Sequence, residues 1–483
     1  MGIPSYFAQV IRSFTRILSK QSELSNNGVQ VSRLYLDCNS ILYDSFHSLQ
    51  QTLSYKEMKR EIIKETIKRI ENYVEKFSPS GVTFVAFDGV APVAKMEQQR
   101  SRRYKSWFES TITNEICKKT SLHSSCMFTP GTDFMNTLCT ELYAHFKGRS
   151  NVIVSASDSP GEGEHKLYQH LRNDPPKSDE NIAIYGLDAD LLMLSLVHSS
   201  YCNLYVCRES PHFASVLLSE TKGDVEENEL ICIHIKDLAS GVLQDMNCSA
   251  MDTGRIQDYV FLCFLLGNDF LPHFPGINIR TKGIDTIIGV YNEIVSSQNK
   301  YLINVHKKIN WKVFHEVIAK LGKDEYGNIC KEYAFRRKWD KKTPEMTPKQ
   351  TEKDKLEMFQ NIPILYRHKE KYISPYEKNG WKQRYYKSLF GEDTNVSSVC
   401  QNYLEGIEWV TQYYMEGKVD WNWKYNYHYP PLFVDLYHHF SYYKGIPTTS
   451  ETNQPVRMYT QLAYVLPPVY HSFLPVHIRT LLT

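Results

Sequence analysis

The sequence has no apolar run approaching the ~18 residues of a membrane-spanning helix, and its N-terminus lacks the apolar stretch of a signal peptide. The opening MGIPSY also misses the myristoylation pattern, because position 6 is Tyr where Ser or Thr is needed. No membrane partner is expected. Charge of one sign is scarce too: the net value is only +2, so any affinity for nucleic acid has to come from a local basic patch. The 11 Cys are odd in number and show neither CxxC nor zinc-knuckle spacing. That argues for free, mostly buried thiols in a reducing compartment. Cytoplasm is the expected location, with the nucleus as the alternative. The Arg336–Lys342 cluster reads as a surface basic patch in preference to a nuclear signal. There is no internal repeat and no low-complexity tract. What is abundant is aromatic: 13% of residues, with 33 Tyr that lie mostly in the C-terminal third.

The first ~280 residues alternate strand-like and helix-like segments, which predicts an α/β fold with a mostly parallel sheet flanked by helices. YKEMKREIIKETIKRIENYVEKF (55–77) has apolar residues at helical spacing and a charged outer face. GEHKLYQHLR (163–172) and DYVFLCFLL (258–266) read as further helices, and ELICIHI (229–235) as a strand after a mixed loop between Arg208 and Asn228. The polar WDKKTPEMTPKQTEKDK (339–355) reads as a linker or surface insertion, and an aromatic-rich, mainly helical region follows. The expected division is 1–335, a charged linker or insertion over 336–360, and 361–483.

Seven acids stand where predicted elements end: Asp37, Asp88, Glu162, Glu164, Asp188, Asp190 and Asp269. Four of the five segments follow an apolar run (RLYLD, VTFVAFD, NVIVSASD…GEGE, AIYGLDAD), and the fifth, CFLLGND, follows a helix-like one. Residues past the carboxyl ends of parallel strands converge on one crevice. So many carboxylates repel one another unless cations neutralise them, which predicts a divalent-metal site, two Mg²⁺ ions, doing phosphoryl chemistry. Taken alone, any one of these acids is as readily a helix cap; five such segments together are not. In AKMEQQRSRRYKSW, Lys95, Gln99, Arg102 and Arg103 fall on one helical face close behind Asp88. Two guanidiniums, an ammonium and an amide suit a terminal phosphate, although a solvated basic face has the same pattern.

LYLDCNSIL, FDGVAPVAKMEQQRSRRYKS, TPGTDFM, SPGEGEHKL, YGLDADLLML and FLLGNDFLPHFPGI closely resemble the Xrn family of 5′→3′ exoribonucleases. GIEWVTQYYMEGKVDWNWKYNYHYPP and QLAYVLPP resemble the family's second characteristic region; the match is weakest from about 280 to 400. The resemblance implies a PIN-like core related to flap endonucleases, and a Mg²⁺-dependent, processive exoribonuclease releasing 5′-mononucleotides from single-stranded RNA with a 5′-monophosphate. Mn²⁺ is expected to substitute. The seven acids match the family's metal ligands, and Lys95, Gln99, Arg102 and Arg103 match its 5′-phosphate pocket. Trp421 or Trp423 corresponds to a base-stacking Trp, and spacing does not choose between them. Two departures stand out. Ser40 and Tyr43 replace the usual Gly and His, leaving Tyr43 as an aromatic plane for base stacking without an imidazole. Val93 replaces a usual Arg, which predicts weaker selection for the 5′-monophosphate. A flap-type DNA nuclease and a non-catalytic RNA-binding scaffold are the alternatives; the complete acid set argues against the scaffold.

Overall fold

The computed structural model describes residues 5–14, 17–49, 53–118, 124–211, 229–248, 250–342, 345, 347, 349–362, 364–367, 369–446 and 453–481. Seven short strands form one sheet in the order β1-β7-β6-β5-β2-β3-β4. They are β1 (Leu18–Lys20), β2 (Arg33–Asp37), β3 (Thr83–Ala86), β4 (Val152–Ser155), β5 (Asn181–Tyr185), β6 (Asn203–Glu209) and β7 (Leu230–His234). The five strands from β4 to β6 are parallel, whereas β7 runs antiparallel to β6 and β1 antiparallel to β7. The central strands are buried almost throughout, as a parallel sheet covered on both faces requires.

The helices around the sheet include α1 (Asn39–His47), α2 (Tyr55–Phe77), α3 (Val93–Cys117), α4 (Gly163–Asn173), α5 (Asp190–Val197), α6 (Thr253–Cys263), α7 (Trp311–Asp340), α8 (Glu352–Asn361), α9 (Val396–Glu416), α10 (Phe433–His439) and α11 (Met458–Val465). Helix α2 matches its expected bounds for local reasons. Ser54 accepts from the N–H of Glu57, whose side chain returns to the Ser54 N–H, and Met58, Ile62, Ile70 and Phe77 bury one face. The largest core runs from Tyr6 to Leu436 and joins the sheet to the C-terminal helices. No helix among the described residues is long and apolar enough to cross a membrane.

The structure adds to one expectation and differs from another. The polar stretch read as a linker holds the end of α7 and nearly all of α8, which packs on α3. Arg336 pairs with Glu370 and anchors the last turns of α7, while a Thr351–Asp354 capping box starts α8. Cys207 and Cys232, expected as free thiols, face each other across the β6–β7 register and are bonded as a disulfide, while the other nine cysteines are free. Most of the mixed loop after Arg208 (212–228) lies outside the described residues.

Candidate active site

The order β5-β2-β3-β4 sets four parallel carboxyl ends along one edge of the sheet, with the chain's lateral direction reversing between β2 and β5. Such a switch point leaves a crevice. Asp37 ends β2, Asp88 lies just past β3, and Glu162 is the N-cap of α4, with Glu164 in its first turn. Asp188 follows β5, Asp190 opens α5, and Asp269 enters from the loop after α6. Gly163 is required at this edge. Its N–H donates to Asp88 Oδ1 at 2.7 Å, and a Cβ would come within 2.6 Å of Asp37 Oδ1. Behind the edge, the Lys166 ammonium donates to the carbonyls of Phe87 and Ala156, both at 2.8 Å, tying the ends of β3 and β4 together.

The crevice opens into a cavity of about 490 Å³. Asp37, Asp88, Glu162, Glu164 and Asp188 line it together with Lys95, Gln99, Arg102, Arg103 and Tyr43. Asp190 and Asp269 do not line it but adjoin the cluster. The Lys95 ammonium bridges Glu162 Oε2 at 2.5 Å and Asp269 Oδ2 at 2.6 Å, and Asp190 acts electrostatically on both Glu164 and Lys95. All the expected acids and phosphate-pocket residues therefore gather at one place. Tyr43 meets Phe128 edge-on, 5.3 Å between ring centres, and both rings line the cavity. Arg103 is aimed by bonds to Thr129 Oγ1 at 2.8 Å and the Gln99 carbonyl at 3.3 Å.

Electrostatically the crevice is overloaded with negative charge. Burial and then Asp88 and Asp188 push Asp37 well above the ordinary aspartate range. Burial and then Asp190 do the same to Glu164, and burial and then Asp269 push Asp190 up to about 7. Burial works against the Lys95 charge, but Asp269 and Glu162 outweigh it and hold the ammonium well above ordinary lysine. Asp37 Oδ1 and Glu164 Oε2 are buried with no hydrogen-bond partner. Among the described residues no three side chains already stand in coordinating positions. Even so, hard carboxylate oxygens that are buried, mutually repelling and undonated are the donor set a hard divalent cation takes.

Neither Trp offered for base stacking lines the cavity. Trp423 is only 6% exposed and stacks on Trp409, at 5.4 Å, so it is core and presents no face to a base. Asp420 Oδ1 accepts from the N–H groups of Asn422 and Trp423, a turn that directs Trp423 inward. Trp421 is half-buried and its carbonyl accepts from the Val93 N–H at 3.0 Å, yet it does not line the cavity either. Val93 packs against a small apolar cluster of Val90, Met96 and Val465, off the cavity lining. The Val93 side chain therefore does not line the cavity.

Other site residues come from distant segments. Tyr413 on α9 donates to Glu162 Oε1 at 3.1 Å and stacks on His165 at 4.2 Å. Burial lowers the His165 pKa to about 3, which keeps the imidazole neutral in that stack. Gln98 donates to Asp269 Oδ1 at 2.8 Å. Both sit inside motifs whose family likeness is plain, but only the folded contacts single them out.

Residues 1–210 match the XRN 5′-3′ exonuclease N-terminus, and residues 250–372 and 375–483 match the Xrn1 helical domain. The chain belongs to the Xrn family of 5′-3′ exonucleases. It is similar to 5′-3′ exoribonuclease 2 of Gallus gallus, 28% identical over 100% of this chain and 65% of that protein. It is likewise similar to 5′-3′ exoribonuclease 1 of Homo sapiens, at 27% over 100% and 31% respectively. The chain thus spans less than two thirds of the length of these relatives. Against the solved catalytic core of Rad2 in complex with DNA substrate, the TM-score is 0.37 at 14% identity, covering 91% of this chain and 94% of that one. That likeness is too low to carry an argument.

Proposed function

We propose that this chain is a Mg²⁺-dependent 5′→3′ exoribonuclease that degrades single-stranded RNA with a 5′-monophosphate to 5′-mononucleotides, processively and by hydrolysis. The observation that carries the reading is one cavity holding both an under-neutralised carboxylate cluster and the basic face of α3. In this reading Asp37, Asp88, Glu162, Glu164, Asp188, Asp190 and Asp269 hold two Mg²⁺ ions, with Mn²⁺ as a substitute. When bound, the ions supply an activated water and neutralise charge gathering on the scissile phosphate and leaving oxygen.

The chain's own residues bind and orient. Arg102 and Arg103 offer planar paired donors to the 5′-phosphate, Gln99 an amide donor and Lys95 a point charge. Lys95 links the two functions, its ammonium on Glu162 and Asp269 and its helix carrying Gln99 and Arg102 to the cavity. Tyr43 offers a stacking plane to a leading base, an interaction of about 1–3 kcal/mol that grips any base and so needs no sequence preference. Tyr413 fixes the Glu162 carboxylate through its hydroxyl. The proposed location is the cytoplasm; nine free thiols support it, and the Cys207–Cys232 bond is the observation against it.

The test is a time course with purified protein, Mg²⁺ and 3′-labelled single-stranded RNA carrying a 5′-monophosphate, a 5′-hydroxyl or a triphosphate. The expected result is rapid loss of the monophosphate substrate alone, absent in an Asp188→Ala/Asp190→Ala double variant. Equal decay of all three ends would overturn the pocket assignment. RNA binding without any Mg²⁺-dependent product would overturn the enzyme and leave a scaffold.

A further inference from the structure

A second cavity, of about 300 Å³, opens beside the acid crevice. Ser101 and Asn268 line it, each one residue from a member of the first site, Arg102 and Asp269. Its walls include Tyr333, Arg336, Arg367 and Tyr429. Tyr333 is shared with an open groove at the end of α7, lined also by Arg337, Ile364, Tyr366, Lys371 and Tyr376. Phe335, Trp339 and Tyr372 stand exposed on the same elements. The first cavity, the second and the groove thus follow one another along continuous segments of chain.

Cations lie against rings along this track. Arg336 is 5.3 Å from Tyr333 and 5.9 Å from Tyr366, and Arg337 is 6.0 Å from Tyr376. Lys371, which lines the groove, is 5.2 Å from Tyr372. Asp340 is the one carboxylate among the described residues lining the groove, and in the second cavity Glu370 is paired with Arg336, which leaves Arg337, Arg367 and Lys371 as the cations that face a ligand. Exposed rings on this scale mark a surface that receives something. A protein partner favours an apolar centre depleted of charge, whereas here cations are interleaved with the rings. A single strand of nucleic acid offers what that pattern matches: phosphates for the cations and a π-face on every base.

We propose that the second cavity and the groove at the end of α7 bind the single-stranded RNA lying 3′ of the scissile bond. The inference rests on the exoribonuclease reading, in which the first cavity holds only the leading nucleotides and the shortened strand must stay bound between cuts.

The test compares wild type with an Arg337→Ala/Lys371→Ala/Tyr376→Ala variant, all three residues being exposed and lining the groove. Fluorescence anisotropy in EDTA measures binding to single-stranded RNAs of about 4 and about 30 nucleotides, which bracket the site sizes of known single-strand binders. Loss of two cations and one stacking ring is expected to weaken binding of the long RNA about tenfold or more and to reduce the slope of log affinity against log salt by about 1.4. Binding and Mg²⁺-dependent decay of the short RNA, and the thermal melt, are expected to stay unchanged. A conservative Arg337→Lys/Lys371→Arg/Tyr376→Phe variant is expected to restore long-RNA binding. Unchanged affinity for the long RNA would overturn the proposal and assign the surface to a protein partner, and so would equal losses for both lengths. If wild type degrades neither RNA, the exoribonuclease reading fails by itself, while the EDTA binding arms still decide the track.

Discussion

Buried carboxylates occur in two regions of this chain, and they are bonded in opposite ways. In the helical region, Asp258 on α6 accepts from the Leu302 N–H at 3.0 Å, the Ile303 N–H at 2.7 Å and the Tyr291 hydroxyl at 2.7 Å. Glu325 on α7 accepts from the Phe433 and Val434 N–H groups, at 2.7 and 3.3 Å, at the start of α10. At the sheet edge, Asp37 and Glu164 keep oxygens with no donor, and their strongest neighbours are other acids. Burial is the largest influence in both regions, raising Asp258 to about 6, Glu325 to about 8 and Asp190 to about 7. The next influence has opposite signs: a hydroxyl or a backbone N–H lowers Asp258 and Glu325, whereas a second carboxylate raises Asp37, Glu164 and Asp190. Acids that hold the fold together are satisfied by the fold's own donors. In the crevice, Asp37 and Glu164 each keep an oxygen that the fold leaves undonated.

The largest test of that contrast is a pH series on Glu325. Its folded pKa, about 8, exceeds the ordinary 4.5, so the folded state binds the proton more tightly than the unfolded state does. The stability this contributes is complete below the unfolded value and is lost as pH rises through the folded one. Glu325→Gln removes that dependence. Between about pH 5 and about pH 9, urea unfolding in EDTA is expected to shift in favour of the variant by roughly 4 kcal/mol relative to wild type. A difference independent of pH would break the assignment.

Next in size is a matched pair of isosteric changes. Asp258→Asn puts an amide nitrogen in place of one carboxylate oxygen, so that the Leu302 N–H, which reaches both oxygens, faces a donor in either orientation, and is expected to cost about 3 kcal/mol of unfolding free energy, with decay per folded molecule unchanged. Asp190→Asn removes a repelling charge and is expected to cost less than about 1 kcal/mol in EDTA while lowering Mg²⁺-dependent decay at least about 100-fold. Equal destabilisation by the two would erase the distinction between the regions. The smallest effect is the response of stability to the ion. At about a hundredfold excess over its dissociation constant, Mg²⁺ is expected to stabilise wild type by about 2.7 kcal/mol. An Asp37→Asn/Glu164→Gln variant is expected to lose most of that gain, whereas Asp258→Asn keeps it. A thermal melt with and without EDTA reads it directly.

Some of this was legible in the residues because the physics is local. The ends of α2 follow from a capping box and apolar spacing, both written within a few positions. The acids announced themselves because apolar runs stop at them, and α3 displays its basic face at helical spacing. By contrast, a charged stretch has the same composition as a solvated helix face or as a linker, so the reach of α7 to Asp340 and the existence of α8 stayed hidden. Trp421 and Trp423 stand two positions apart in one motif, and a single turn around Asp420 decides that Trp423 faces the core. The Cys207–Cys232 bond needs the register of two antiparallel strands, and spacing along the chain carries no trace of it.

The sequence was sufficient for the family, the α/β alternation and the inventory of acids and cations, since each depends on residue type and on neighbours a few positions away. Tertiary structure alone decided which carboxylates keep an undonated oxygen. It also decided that Lys95 bridges Glu162 and Asp269, and that Tyr413 reaches Glu162 from 251 positions downstream. Desolvation, charge repulsion and hydrogen bonding depend on distance in space, and the pattern of side chains along a chain does not record which distant groups will meet.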